Sequence, residues 1–149
     1  MMKALETNTS LRMLNLRGND LTSDVAGDIA EMLLENNTLT QLNVGYNKIY
    51  NDGAWELCEA LSENTGLRGL DLQRNEISDE GGKHVETLLN VNSAVREVDM
   101  RSNMLSPETV DSFGRRFGER VNCRWQQEPP KRNASGAPLR KMVGTGGGN

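Results

Sequence analysis

The stretches LRMLNLRGNDL, LTQLNVGYNKI, LRGLDLQRNEI and VREVDMRSNML begin at residues 11, 39, 67 and 95, each 28 residues after the last. A fixed period of this size confines the chain to stacked, near-identical units, because a single unit is too small to bury its own apolar face. Within each unit the apolar spacing changes. Leu42 and Val44 alternate with Gln41, Asn43 and Gly45, which predicts a strand of about five residues with one face buried. Leu39 and Ile49 bracket that strand and are expected to point inward. Ala26, Ile29, Ala30 and Leu33 then fall at i, i+3, i+4 and i+7, as do Ala54, Leu57, Cys58 and Leu61, which predicts a helix with one buried stripe. Val85 and Leu89 continue the stripe in the third unit, and Val110, Phe113 and Phe117 in the fourth.

The pattern L-x-x-L-x-L-x-x-N-x-L resembles that of leucine-rich repeats. The resemblance implies an α/β solenoid, a short horseshoe with parallel strands on its concave face and helices on its convex face. Asn19, Asn47, Asn75 and Asn103 share one column just after the strand, where a short amide can pair turn carbonyls that would otherwise be buried alone. In leucine-rich repeats this column forms a ladder, and the resemblance implies one here. Asn36, Asn64 and Asn92 stand where each helix must stop and are expected to cap it in the left-handed conformation that asparagine tolerates. The 28-residue period, with Gly53 and Gly81 opening helices, resembles the ribonuclease-inhibitor-like subfamily over residues 4–122. AEMLLENNTLTQLNVGYNKI, residues 30–49, resembles the repeat domains of tropomodulin and leiomodin, which act at actin pointed ends, and such repeats are also similar to those of small axonemal proteins. The N-terminal actin- and tropomyosin-binding helices of the tropomodulin family have no counterpart in this sequence.

These patterns divide the chain into the helical end of a partial repeat (1–10), four repeats (11–38, 39–66, 67–94 and 95–122) and a basic, Pro/Gly/Ser-rich tail (123–149) expected to be flexible. Ala4, Leu5 and Asn8 align with Ala60, Leu61 and Asn64, so the first complete strand has no capping unit before it. Either an upstream segment, a second copy or a partner is expected to cover Leu5 and the first strand, or the solenoid tolerates a rough edge there. The fourth repeat gains Pro107, lacks the glycine seen at Gly53 and Gly81, and is expected to carry Arg116 and Arg120 on its helix, as a terminal capping repeat would.

Charge is unevenly spread. Residues 1–122 hold 12 Lys+Arg against 20 Asp+Glu, whereas the tail holds five against Glu128 alone. An acidic body argues against nucleic acid on the repeats. In the tail, Trp125, Lys131, Arg132, Arg140 and Lys141 read as contacts to an acidic protein surface, that of a partner or of the body itself. Asp28, Glu31, Glu35, Glu56, Glu59 and Glu63 read as a solvated convex face. Trp55 projects from the second helix on that convex side, where it reads equally as partly covered by its neighbours or as a second contact site. No run of 18 apolar residues predicts a membrane span, the N-terminus lacks a secretory h-region, and the two cysteines are too few for a disulfide framework. A cytoplasmic setting is the expectation. The single His84 offers no zinc set, and no cofactor motif is present.

The strand residues that do not point inward should line the concave face. Interfaces favour Tyr and Arg anchors, so the partner-binding residues are read as Arg17, Gln41, Asn43, Tyr46, Asp71, Arg74, Glu97, Asp99 and Arg101. These columns hold no histidine, no nucleophile beside a base and, by expectation, no pocket, which points away from an enzyme. Two functional readings stay open. One is a structural or adaptor subunit of a cytoplasmic, cytoskeletal assembly, actin-associated or axonemal. The other is a regulator or inhibitor of an enzyme or small GTPase held in the concave face.

Overall fold

The computed structural model describes residues 2–124. A short helix α1 (Met2–Glu6) leads into four strand–helix units: β1 (Met13–Asn15) and α2 (Ser23–Glu35), β2 (Gln41–Asn43) and α3 (Tyr50–Glu63), β3 (Gly69–Asp71) and α4 (Asp79–Val91), β4 (Glu97–Asp99) and α5 (Pro107–Phe117). A 3₁₀ turn over Gly118–Arg120 then delivers β5 (Val121–Asn122) to the edge of the sheet. The five strands lie parallel in sequence order, so each repeat adds its strand directly beside the last. Register follows the period: Leu14 pairs with Leu42, Leu42 with Leu70 and Leu70 with Val98, and the last step is shorter, Val98 with Val121. This is the α/β leucine-rich-repeat solenoid that the periodicity predicts.

Regular strand geometry covers three residues rather than about five. The ladder nonetheless runs on past it, with the N–H groups of Leu16, Val44 and Leu72 donating to Asn43, Asp71 and Asp99 at 2.7, 3.0 and 2.8 Å. The strand ends early for a local reason. Asn15, Asn43, Asp71 and Asp99 each accept the N–H two residues ahead, at 2.9–3.0 Å, which bends the chain out of the sheet.

The core is a column of aliphatic side chains between sheet and helices. Leu39, Leu42, Val44 and Ile49 of the second repeat are buried against Ala54, Leu57, Cys58 and Leu61, and in the third Leu67, Leu70, Leu72, Ile77, Val85 and Leu89 are buried at matching positions. In the fourth, Phe113 is fully buried while Val110 and Phe117 are only partly so. At the other end, Leu5, Leu11, Leu14, Leu16 and Leu21 are also only partly buried.

Two asparagine ladders tie the repeats together. In the expected one, the Nδ2 of Asn75 donates to the carbonyls of Val44 and Leu72 at 3.0 and 3.1 Å, and its Oδ1 accepts from Ile49 N–H at 3.2 Å. Asn47 and Asn103 repeat this pattern one unit to either side. The second ladder starts from Asn36, Asn64 and Asn92, which do cap α2, α3 and α4 as expected, their backbone N–H groups donating to the Met32, Ala60 and Leu88 carbonyls, but not in the expected conformation. These residues are extended, with φ near −94, −71 and −105°, not left-handed. Their side chains, buried, reach back a whole repeat: Asn64 Nδ2 donates to Leu33 and Asn36 carbonyls at 2.7 and 2.8 Å while its Oδ1 accepts from Gly66 and Leu67 N–H. An extended backbone is what turns the amide toward the neighbouring repeat instead of its own helix end.

Candidate functional site

The exposed side of the sheet is the candidate site, and its character is set by four rows of side chains. Nearest the strand starts lie Met13, Gln41, Gly69 and Glu97. Gly69 leaves a gap that Gln41 closes, since the Gln41 side-chain amide occupies the place of a glycine Cβ. A hollow of about 250 Å³ nevertheless runs over Leu42, Leu70, Asp71 and Asp99, bounded by Met13, which is 70% exposed. Where no pocket was expected, the sheet face thus carries a shallow, open depression.

The middle row, Asn15, Asn43, Asp71 and Asp99, gives one oxygen per residue to the chain bend described above. Asp71 lies 3.7 Å from Arg17 Nη1. Burial pushes its carboxyl above the ordinary carboxylate range, helped by the neighbouring Asp99 charge, against the Gln73 N–H bond and the Arg17 and Arg101 charges. Asp99 is gripped by Arg101 through Nε at 3.0 and 2.9 Å and Nη2 at 2.6 Å, a fork-on-carboxylate pair.

Beyond that row the face turns basic. Arg17 places its guanidinium 3.8 Å from the Tyr46 ring centroid and donates to Gln73 Oε1 at 3.1 Å. Arg74, from the repeat on the other side, lies 5.3 Å from the same ring. Among the described residues Arg74 has no carboxylate partner. Gly18, Tyr46, Arg74 and Ser102 share one column and all have positive φ, between 53 and 68°. The left-handed conformation costs a non-glycine residue about 1 kcal/mol. Glycine meets the same geometry at position 18 without that cost. Tyr46 and Arg74 therefore hold strain and in return carry an aromatic ring and a cation out to the rim.

The structure brings Arg17, Gln41, Asn43, Tyr46, Asp71, Arg74, Asp99 and Arg101 onto one face, with Glu97 beside the hollow. Trp125, Lys131, Arg132, Arg140 and Lys141 lie outside the described residues. Cys123, placed by sequence at the start of the tail, is buried in the body. Sequence reasoning passed over Gln73, the partner of Arg17, and misread Arg120. That residue is not on α5 but in the 3₁₀ turn. Its guanidinium donates to the carbonyls of Leu89, Asn92 and Val95 at 3.0, 2.9 and 2.7 Å. Arg120 stands 28 residues after Asn92, so it takes the place of the next asparagine in the second ladder, and that spacing was the available signal. Arg116 does lie on α5, paired with Glu86.

Among the described residues no group of three or more His, Cys, Asp or Glu side chains is placed to hold a metal ion, and no helix is long and apolar enough to cross a membrane. Comparison with known proteins places the chain by its repeats. The leucine-rich repeat family model matches residues 7–24, 35–58 and 63–84. Comparison with curated proteins gives no match. Among solved structures, actin-binding site 2 of leiomodin-1 superposes with a TM-score of 0.71 at 15% identity, over 76% of this chain and 68% of that one. The C-terminal domain of tropomodulin from Caenorhabditis elegans does so with a TM-score of 0.68 at 16% identity, over 83% and 80%. Identities this low speak to the fold alone. Stacked strand–helix units in 28-residue register, two asparagine ladders and the matching family model agree: the chain is a leucine-rich repeat protein.

Proposed function

We propose that this protein is a non-enzymatic binding module that holds a protein partner along the exposed face of its sheet, within an actin-associated assembly. The observation that carries the reading is the rim, where Tyr46 and Arg74 are held in a strained backbone conformation, with Arg17 stacked on the tyrosine ring. Tyrosine and arginine are the side chains that most often dominate binding energy at interfaces. Arg74 brings a guanidinium with no carboxylate partner among the described residues, which suits an acidic group on a partner. The actin setting is supported by the leiomodin-1 domain of the same fold, which is an actin-binding site.

Binding of actin monomers to the immobilised full chain, and co-sedimentation with actin filaments, tests both parts. Arg74→Gly relieves the positive φ while removing the cation. It is expected to weaken binding by about 1–2 kcal/mol, roughly 5- to 30-fold, without lowering the unfolding midpoint. An R74G chain that binds actin as well as the parent would remove the rim from the site. No binding of actin in either form would remove the actin assignment.

A further inference from the structure

The hollow on the sheet face is charged at one end only. Its floor is strand backbone at Leu42, Gly69 and Leu70, and it holds about 250 Å³. Met13 bounds it on the β1 side and Glu97 on the β4 side, and Asp71 and Asp99 also line it. No lysine, arginine or histidine does. Strand register sets Gly69 directly beside Glu97, so no side chain of β3 stands between that carboxylate and the hollow. The group nearest to where a Gly69 Cβ would lie is the Gln41 amide, the far end of a long side chain. The space suits one extended side chain with an apolar stem and a cationic tip.

The three carboxylates differ in what they have left to give. Asp99 is fully engaged, since Arg101 holds both of its oxygens. Asp71 accepts the Gln73 N–H on one oxygen. Its other oxygen lies 3.7 Å from Arg17 Nη1, beyond hydrogen-bond reach. Glu97 is exposed and makes no ion pair among the described residues. Two carboxylates therefore face the hollow with acceptor oxygens to spare. Burial raises the Asp71 carboxyl and the nearby Asp99 charge adds to the effect, so a cation placed beside Asp71 gains from charge that the fold leaves under-compensated. We propose that the hollow takes one long basic side chain, arginine or lysine, of the protein bound on the sheet face, its stem along Met13 and the strand backbone and its cation between Asp71 and Glu97. This occupancy rests on the sheet-face reading above and gives the partner a charge order: an acidic group at the rim beside Arg74, a basic one in the hollow.

Titrating the isotope-labelled full chain with N-acetyl-arginine amide reads the hollow apart from any binding of actin. The backbone amide resonances of Leu42, Gly69 and Leu70 are expected to shift saturably, and the neutral citrulline analogue should leave them in place. D71N/E97Q should weaken the arginine compound about tenfold. G69V keeps every carboxylate but fills the hollow with its own methyl groups and the displaced Gln41 amide, and should abolish the shifts. Shifts that persist in G69V would mean diffuse attraction to an acidic surface and overturn the proposal. Equal shifts with the citrulline analogue, or none with either compound, overturn it as well. Saturable, G69V-sensitive shifts in a chain that binds no actin would uphold the hollow and remove only the actin assignment. Actin binding that is lost in R74G but unchanged in D71N/E97Q would keep the rim in the site and put the hollow outside it.

Discussion

At the scale of single residues, the asparagines carry more of the fold than their count suggests. Asn64 and Asn75 are each buried and each satisfy two carbonyls and at least one N–H of neighbouring turns. Alanine at either position leaves those groups buried without partners, so N64A and N75A are expected to cost about 3 kcal/mol or more each, read from urea unfolding midpoints. Asp71 behaves oppositely. Its folded-state carboxyl is pushed up, so the folded chain holds that proton more tightly than the unfolded chain does, and ionising it near neutral pH costs stability. Asparagine keeps the bond from Gln73 N–H, as Asn43 does for Gly45. D71N should therefore be more stable than the parent at pH 7, with the gap closing as pH falls through the raised folded-state pKa of Asp71 toward that of an ordinary carboxylate, by thermal unfolding across pH. The column of Asn75 was legible from spacing alone. The proton affinity of Asp71 was not, because it depends first on burial, and then on the Gln73 N–H, Asp99 and two opposing arginines, all of which only the stacked strands bring about.

At the scale of elements, the last repeat shows how a solenoid ends. α5 starts cleanly, with Ser106 accepting the Thr109 N–H and Pro107 in the first turn. It stops at Phe117, and the chain reaches β5 sooner than a full period would bring it there. Arg120 makes the shortcut workable, its long side chain reaching the Leu89 and Asn92 carbonyls of the preceding repeat, which an asparagine would otherwise serve, and the Val95 carbonyl of its own. R120A should loosen this end alone. The expected result is faster amide hydrogen exchange at Met100, whose N–H donates to Asn122, with little change at Leu42 or Val44. Equal acceleration throughout would mean that Arg120 supports the whole stack. Sequence located this helix and its proline, but an arginine in a run of polar residues carries no mark of what it bonds.

At the scale of the whole molecule, stability in a solenoid is close to a sum over repeats and their interfaces. Cys58 reports on it from the inside. Burial pushes its thiol up to about 12, so the thiolate that alkylating reagents need is nearly absent at neutral pH in the folded chain. Iodoacetamide should modify Cys58 only through opening of the second and third repeats, with N64A raising the rate in proportion to its loss of stability. A rate unmoved by N64A would point to local access instead. The sequence by itself determined the repeat, the core column and the turn asparagines, because period-2 and period-3.6 burial are local consequences of backbone geometry written once per 28 residues. Only the tertiary structure decided that a second ladder exists and that Arg120 completes it. It alone set Tyr46 between arginines of two other repeats and left Trp55 half exposed beside His84. Each of these depends on which side chains meet across repeats, and that is set by stacking register and backbone direction rather than by any residue's own neighbours in the chain.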